Sequence, residues 1–322
     1  MNVIANIKDI AKLAGVSVTT VSRVINGLPY VSNEKKEAVL RAMEITNYER
    51  NMNAVHLIKG KTSLIGVVVP SIKRPYFGLV VEGIAEEALK NNYNLVLIQT
   101  NYEEQRELEA LKMLKLKQLD ALIICSKISN WEIVEEYSNY GSIIVFEDAR
   151  GRSVSSIFVD HYKSTMEALA YLSGKGHRKI GCCLARKSGT SSNQRELAYR
   201  DYLHNMGEPF DPNYIFYDAI HFEDGEWIVQ RLTTMNTPPT ALLVTSDQVA
   251  AGILACCKER EIDVPSRLAI VGFDNQPIAK ILNITTFEIP LTEIGRELFL
   301  RSISEGFFQK EIPVNLIERL TV

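Results

Sequence analysis

Near the start of the chain, apolar residues fall at Ile7, Ile10, Ala11 and Ala14, the i, i+3, i+4, i+7 spacing of one buried helical stripe. Asn6 stands ahead of the run as an N-cap. Gly15 closes it, because glycine enters the left-handed conformation that ends a helix. Ser17 is placed to cap a second helix through about Asn26, with Val21, Val24 and Ile25 as its inward stripe. At about 100° per residue, the other side of that helix carries Val18, Thr19, Ser22, Arg23 and Asn26. A merely solvated helix would favour Lys and Glu there. Ser32 caps a third helix through about Thr46, with Val39, Ala42 and Met43 facing the first two.

Beyond Thr62 the pattern changes. Continuous apolar runs, "LIGVVVP", "NLVLIQT", "ALIICS", "SIIVFED", "SSIFVD", "KIGCCLA", "TALLVTSD" and "LAIVGFD", alternate with helix-length segments. Such runs predict parallel sheets covered on both faces. They are too many for one small sheet, and a break near residues 148–161 suggests two lobes. The expected fold class is an N-terminal all-α helix-turn-helix head followed by a two-lobed α/β body. Two helices joined by a short Gly-containing turn form a helix-turn-helix unit, whose second helix enters a DNA major groove. Arginine bonds both acceptors of a guanine, Ser, Thr and Asn reach phosphates or base edges, and Val18 can touch a thymine methyl.

Charge adds to this picture. The whole chain carries −3, yet residues 1–60 hold eight Lys/Arg against five Asp/Glu, leaving 28 against 34 beyond them. A basic head on an acidic body points to a polyanion as the head's partner. No basic-then-apolar signal segment and no run of about 18 apolar residues occurs, so a cytoplasmic protein without membrane contact is expected. The five cysteines, Cys125, Cys182, Cys183, Cys256 and Cys257, lie in apolar runs and read as small core residues. The five histidines lack metal-ligand spacing, and no GxSxG, HExxH or GxGxxG occurs. "GKT" at 60–62 resembles the end of a P-loop, but the glycine that motif needs at position 55 is Val55. No enzyme activity, metal or cofactor is expected.

"IKDIAKLAGVSVTTVSRVING" followed by "VSNEKKEAVLRAMEITNY" resembles the head of the lactose-repressor/galactose-repressor family of bacterial transcription regulators, maltose-regulator and catabolite-control types among them. The resemblance implies operator readout by Val18, Thr19 and Arg23, and phosphate-side contacts from Ser17, Thr20, Ser22, Asn26, Tyr30 and Ser32. Residues 47–61 resemble the family's hinge, in which a leucine wedges into the minor groove; Leu57 matches it and Ala54 the small residue beside it. Such a wedge kinks the duplex. Arg50 replaces the usual proline before the hinge asparagine, and Val55 the usual arginine after the hinge alanine.

The family fold implies a body of two lobes like a periplasmic sugar-binding protein. The head spans residues 1–46, the hinge 47–61 and the body 62–322, with lobe 1 at about 62–160 and 290–322 and lobe 2 at about 161–289. Sites in open α/β sheets lie beyond the carboxyl ends of strands. Those ends offer Ser71 with Tyr76 and Phe77, Glu147 with Asp148, Asp160, Asp247, and Asp274 with Asn275. Carboxylates for paired hydroxyls, an arginine and aromatic walls suit a polyol. By resemblance, Arg195 and Asp247 match effector-contacting positions, with Phe222 or Trp227 as an aromatic plate. Where many relatives carry Asp-Asn, this chain has Asp160-His161-Tyr162, and "DAR" at 148–150 matches only roughly. The expected function is a homodimeric DNA-binding regulator of carbohydrate-use genes. Its expected partners are double-stranded operator DNA and a sugar or sugar-phosphate effector. Alternatives are control by a phosphoprotein corepressor, or a plain solute-binding protein.

Overall fold

The structure, a computed structural model, describes residues 5–48 and 60–322, and the chain divides between Lys61 and Thr62 into two compact units. The described head contains α1 (Ile7–Ala14), α2 (Val18–Ile25) and α3 (Asn33–Ile45). Asn6 Oδ1 accepts from the Lys8 and Asp9 amides at 2.9 and 3.3 Å, and Asp9 Oδ2 accepts from the Asn6 amide at 2.9 Å. This reciprocal box satisfies donors that a helix start otherwise leaves unpaired. Gly15 takes φ 66°, the left-handed cap expected of it. Ile10, Ala11, Val21, Val39 and Ala42 are buried, while Ile7, Ala14, Val24, Ile25 and Met43 only pack around them. Three short helices enclose little volume, so most inward residues keep one side in water. Ser32 occupies the N-cap position of α3 but makes no side-chain cap bond, contrary to expectation.

The body begins with β1 (Leu64–Val69), α4 (Pro75–Lys90), β2 (Asn94–Gln99), α5 (Glu104–Lys115), β3 (Ala121–Ile124), α6 (Trp131–Ser138), β4 (Ser142–Val145) and β5 (Ser155–Phe158). It continues through α7 (His161–Gly174), β6 (Ile180–Cys183), α8 (Thr190–Met206), β7 (Ile215–Phe216), α9 (Asp224–Thr234), β8 (Ala241–Val244) and α10 (Asp247–Glu259). It closes with β9 (Ala269–Asp274), α11 (Pro277–Ile281), β10 (Thr285–Glu288), α12 (Leu291–Ser302), β11 (Gln309–Glu311) and β12 (Asn315–Ile317). The first sheet runs β11-β5-β4-β3-β1-β2 and the second β12-β10-β9-β8-β6-β7. Every pairing is parallel except β10 with β12. All eight apolar runs are strands of these sheets. In β6 the adjacent cysteines face opposite ways, Cys182 into one buried cluster and Cys183 into another, as the two-residue strand period requires.

The end of the chain departs from expectation. α12 packs on α4 and β11 joins the first sheet, but β12 crosses back and pairs antiparallel with β10. The final strand therefore belongs to the second sheet, not to lobe 1, and the chain passes between lobes three times. Strands this short carry too few residues for a period-2 pattern to register. Where α4 meets α12, glycines permit backbone contact: a Cβ on Gly83 would lie 1.9 Å from Thr292 O, and one on Gly295 2.1 Å from Val80 O. Among the described residues no helix is long and apolar enough to cross a membrane.

Candidate functional site

The head presents α2 as a surface. Val21 is fully buried and anchors the helix, while Val18 is 41% exposed and Thr19 and Arg23 face water. Ser17 Oγ accepts from the Thr20 amide at 3.1 Å and pairs with Thr20 Oγ1 at 2.9 Å. These hydroxyls fix the helix start and still hold lone pairs or protons for a second partner. Asn26 Nδ2 donates to Ser22 O at 2.8 Å and Ser22 Oγ at 3.3 Å, ordering the C-terminal end. Tyr30, at φ 72°, is 93% exposed. No acidic residue stands in the first turn of α2, so its positive helix end is uncompensated, which favours phosphate. Ala54 and Leu57 lie outside the described residues.

In the body, a cleft opens beyond the carboxyl ends of strands from both sheets. Tyr76, Phe77, Asp148, Asp160, Arg195 and Asp274 line it, six of the residues singled out from the sequence. Tyr76 stacks on Phe146 with centroids 6.0 Å apart and planes 4° from parallel, giving an aromatic wall. Arg150 grips the two acids of the first lobe, with Nη2 2.6 Å from Asp148 Oδ2 and 3.0 Å from Asp160 Oδ2. Asp160 Oδ1 also caps α7 through the Lys163 amide at 2.9 Å.

Five of the residues singled out fall elsewhere. Ser71 is not in the cleft lining; its Oγ accepts from the Lys73 amide at 3.2 Å. Phe222 sits at the mouth beside Lys73 and His221, 42% exposed. Trp227 packs against Phe216 at 6.2 Å between centroids, because α9 turns that face toward the core of the second lobe. Asp247 is fully buried beneath the cleft: Oδ2 accepts from the Gln276 amide and Oδ1 from Thr286 Oγ1, both at 2.7 Å. It positions Gln276, whose Nε2 donates to Asp274 Oδ2 at 2.8 Å. Asn275 turns away from the cleft, joining Glu288 Oε1 and Arg319 at 2.7 Å each. Conversely, Arg74, Tyr102, Arg186, Thr190 and Gln276 line the cleft without having been singled out. Arg186 stands three residues past β6, so its place at a strand end is a signal that could have found it.

Burial governs the charges here. Asp274 is pushed up to about 6 by burial, against the pull of its Gln276 bond and of Arg195 and Arg74. Burial and the neighbouring Asp274 push Asp247 up as well. His161 is held far below its usual value by burial and then by Arg195, so it is neutral at pH 7. Because the folded value of Asp274 is raised, its proton stabilises the fold fully below the ordinary value of 3.8, and that contribution disappears as pH rises through about 6. Asp274→Asn should therefore flatten the pH dependence of stability in this window and raise the urea midpoint at about pH 7.5 relative to wild type. An unchanged pH profile would remove Asp274 as its source.

Residues 6–51 match the bacterial regulatory proteins of the lacI family, and residues 62–318 match the periplasmic binding proteins and sugar binding domain of the LacI family. The HTH-type transcriptional regulator YkvZ of Bacillus subtilis is 42% identical over 99% of this chain and 100% of its own. Two solved structures share the fold. One is the lac repressor dimer bound to operator and the anti-inducer ONPF, with TM-score 0.79, 23% identity and coverage of 99% of each chain. The other is a LacI family regulator from Lactobacillus casei with bound glucose, with TM-score 0.74, 22% identity and coverage of 80% of this chain and 99% of that one. A helix-turn-helix head and a cleft between two largely parallel sheets are thus joined in one chain, which belongs to the LacI family of bacterial transcriptional regulators, proteins that bind DNA and are not enzymes.

Proposed function

We propose that this chain acts in the cytoplasm as a homodimeric repressor of carbohydrate-use genes, governed by a sugar-like effector in the body cleft. The observation that carries the reading is the surface of α2, where Val18, Thr19 and Arg23 stand out in water above a buried Val21. Arg23 reads a guanine, Thr19 and Val18 meet neighbouring base edges, and Ser17, Thr20, Ser22, Asn26, Tyr30 and Ser32 serve the phosphates. A single small head makes too few contacts for tight specific binding, so two heads act together on a pseudo-palindrome. In the cleft, Glu147 and Asp274 accept sugar hydroxyls, and Tyr76 with Phe146 gives an apolar wall. The effector shifts repression by binding the DNA-competent and DNA-incompetent arrangements unequally. Selection of bound duplexes from a random DNA pool tests this reading. A two-fold-related motif is the expected result; recovery of unrelated sequences, or no retention above competitor at moderate salt, overturns it.

A further inference from the structure

Three guanidiniums line the cleft, those of Arg74, Arg186 and Arg195, and none has a carboxylate at ion-pair distance among the described residues. Of the four acids in the lining, Asp148 and Asp160 both pair with Arg150, while Glu147 and Asp274 feel the arginines through space without reaching ion-pair distance. Arg74 Nη1 donates instead to the Tyr102 hydroxyl at 2.7 Å, and Arg186 stacks on the Tyr102 ring at 3.9 Å. One tyrosine thus holds both cations, Arg74 through its hydroxyl and Arg186 through its ring. Arg195 is only 8% exposed, and its Nε has no hydrogen-bond partner among the described residues. Burying a guanidinium with an unmet donor is costly, and such a group calls for an acceptor.

The first turn of α8 faces the same space. Thr190, Ser191 and Ser192 line the cleft, and the preceding Gly189 offers no side-chain cap to the helix. This is a 17-residue helix whose opening amides and positive end point where Arg186 and Arg195 stand. The mouth continues the trend, with Lys73 and Arg74 against Glu223. Two carboxylates in the lining, Glu147 and Asp274, are held by neutral donors, the Lys127 amide at 2.9 Å and Gln276 Nε2 at 2.8 Å. They keep lone pairs for hydroxyls.

We infer that the effector is an acidic sugar: a polyol whose hydroxyls meet Glu147 and Asp274 and whose anionic group, a phosphate ester or a carboxylate, sits among Arg74, Arg186 and Arg195 at the first turn of α8. The inference rests on the cleft being the effector site. It assigns the arginines a partner of the chemistry they fit, since guanidinium forks bond phosphate and carboxylate oxygens in pairs. It also gives the unmet Arg195 donor an acceptor.

Titration calorimetry on the full chain tests it with inorganic phosphate, glucose 6-phosphate, glucuronate and glucose. Inorganic phosphate is expected to bind, more weakly as salt rises. At least one acidic sugar should bind tighter than glucose by about tenfold or more. Preference for glucose 6-phosphate or for glucuronate identifies the anion as phosphate or carboxylate. Arg195→Gln and Arg186→Gln should each weaken phosphate binding by about tenfold. Arg186 is half-buried, and its variant serves should the Arg195 change prevent folding, as monitored by circular dichroism. No heat with inorganic phosphate, or equal binding in a folded variant, overturns the inference. Glucose binding as tightly as both acidic sugars does so too, while leaving the sugar-effector reading intact. Operator selection without any small molecule tests the regulator reading separately.

Discussion

Arg23→Ala is expected to lower affinity for the selected operator by about 1–3 kcal/mol and to relax sequence choice at one position of each half-site. The side chain lies on the water-facing side of α2, one turn and a residue from Val18, and no ion pair within the described head holds it down. Its loss removes the proposed bidentate contact without disturbing the packing of Val21 and Ile10 beneath. Stability of the head should therefore stay within experimental error while discrimination falls. Competition binding against point-substituted duplexes measures this directly. If all substituted duplexes weaken in parallel with the operator, Arg23 contacts phosphate; if discrimination is unchanged, it has no part in readout.

Asp247→Ala should instead act on the body, lowering its unfolding free energy by about 2–5 kcal/mol. The carboxylate is fully buried and is the acceptor for both the Gln276 amide and Thr286 Oγ1. Alanine leaves two buried donors unmet, each costing about 1–3 kcal/mol. The damage reaches the cleft through Gln276, which orients Asp274. Asp247→Asn keeps one acceptor oxygen and should lose less. Urea unfolding at constant slope separates this account from a direct ligand contact. Abolished effector binding with an unchanged midpoint would place Asp247 against the ligand after all.

Much of this was legible in order along the chain. The caps at Asn6 and Gly15, the polar face of α2 and the eight apolar strands each follow from neighbours within a few residues, where periodicity and backbone preference act, although the edge strand β2 stays partly exposed. Asp274 and Arg195 were legible as strand-end and resemblance positions, and both line the cleft. Asp247 looks identical by those signals, an acid just past β8. Its burial is decided by Gly272, where a Cβ would come within 2.2 Å of Asp247 Oδ1, so the carboxylate tucks against the neighbouring strand. Trp227 likewise has the chemistry of a ligand plate and spends it on Phe216.

What the sequence alone determined is the three helices of the head, eight of the twelve strands among the described residues, the division into a helix-turn-helix head and an α/β body, and the family. What only the tertiary structure decided is which polar side chains share the cleft, that Arg150 occupies Asp148 and Asp160, and that β12 returns to the second sheet. The reason is range. Capping and amphipathic spacing are local properties of a few consecutive residues, whereas the side chains that share the cleft come from segments over a hundred positions apart, as Tyr76 and Arg195 do.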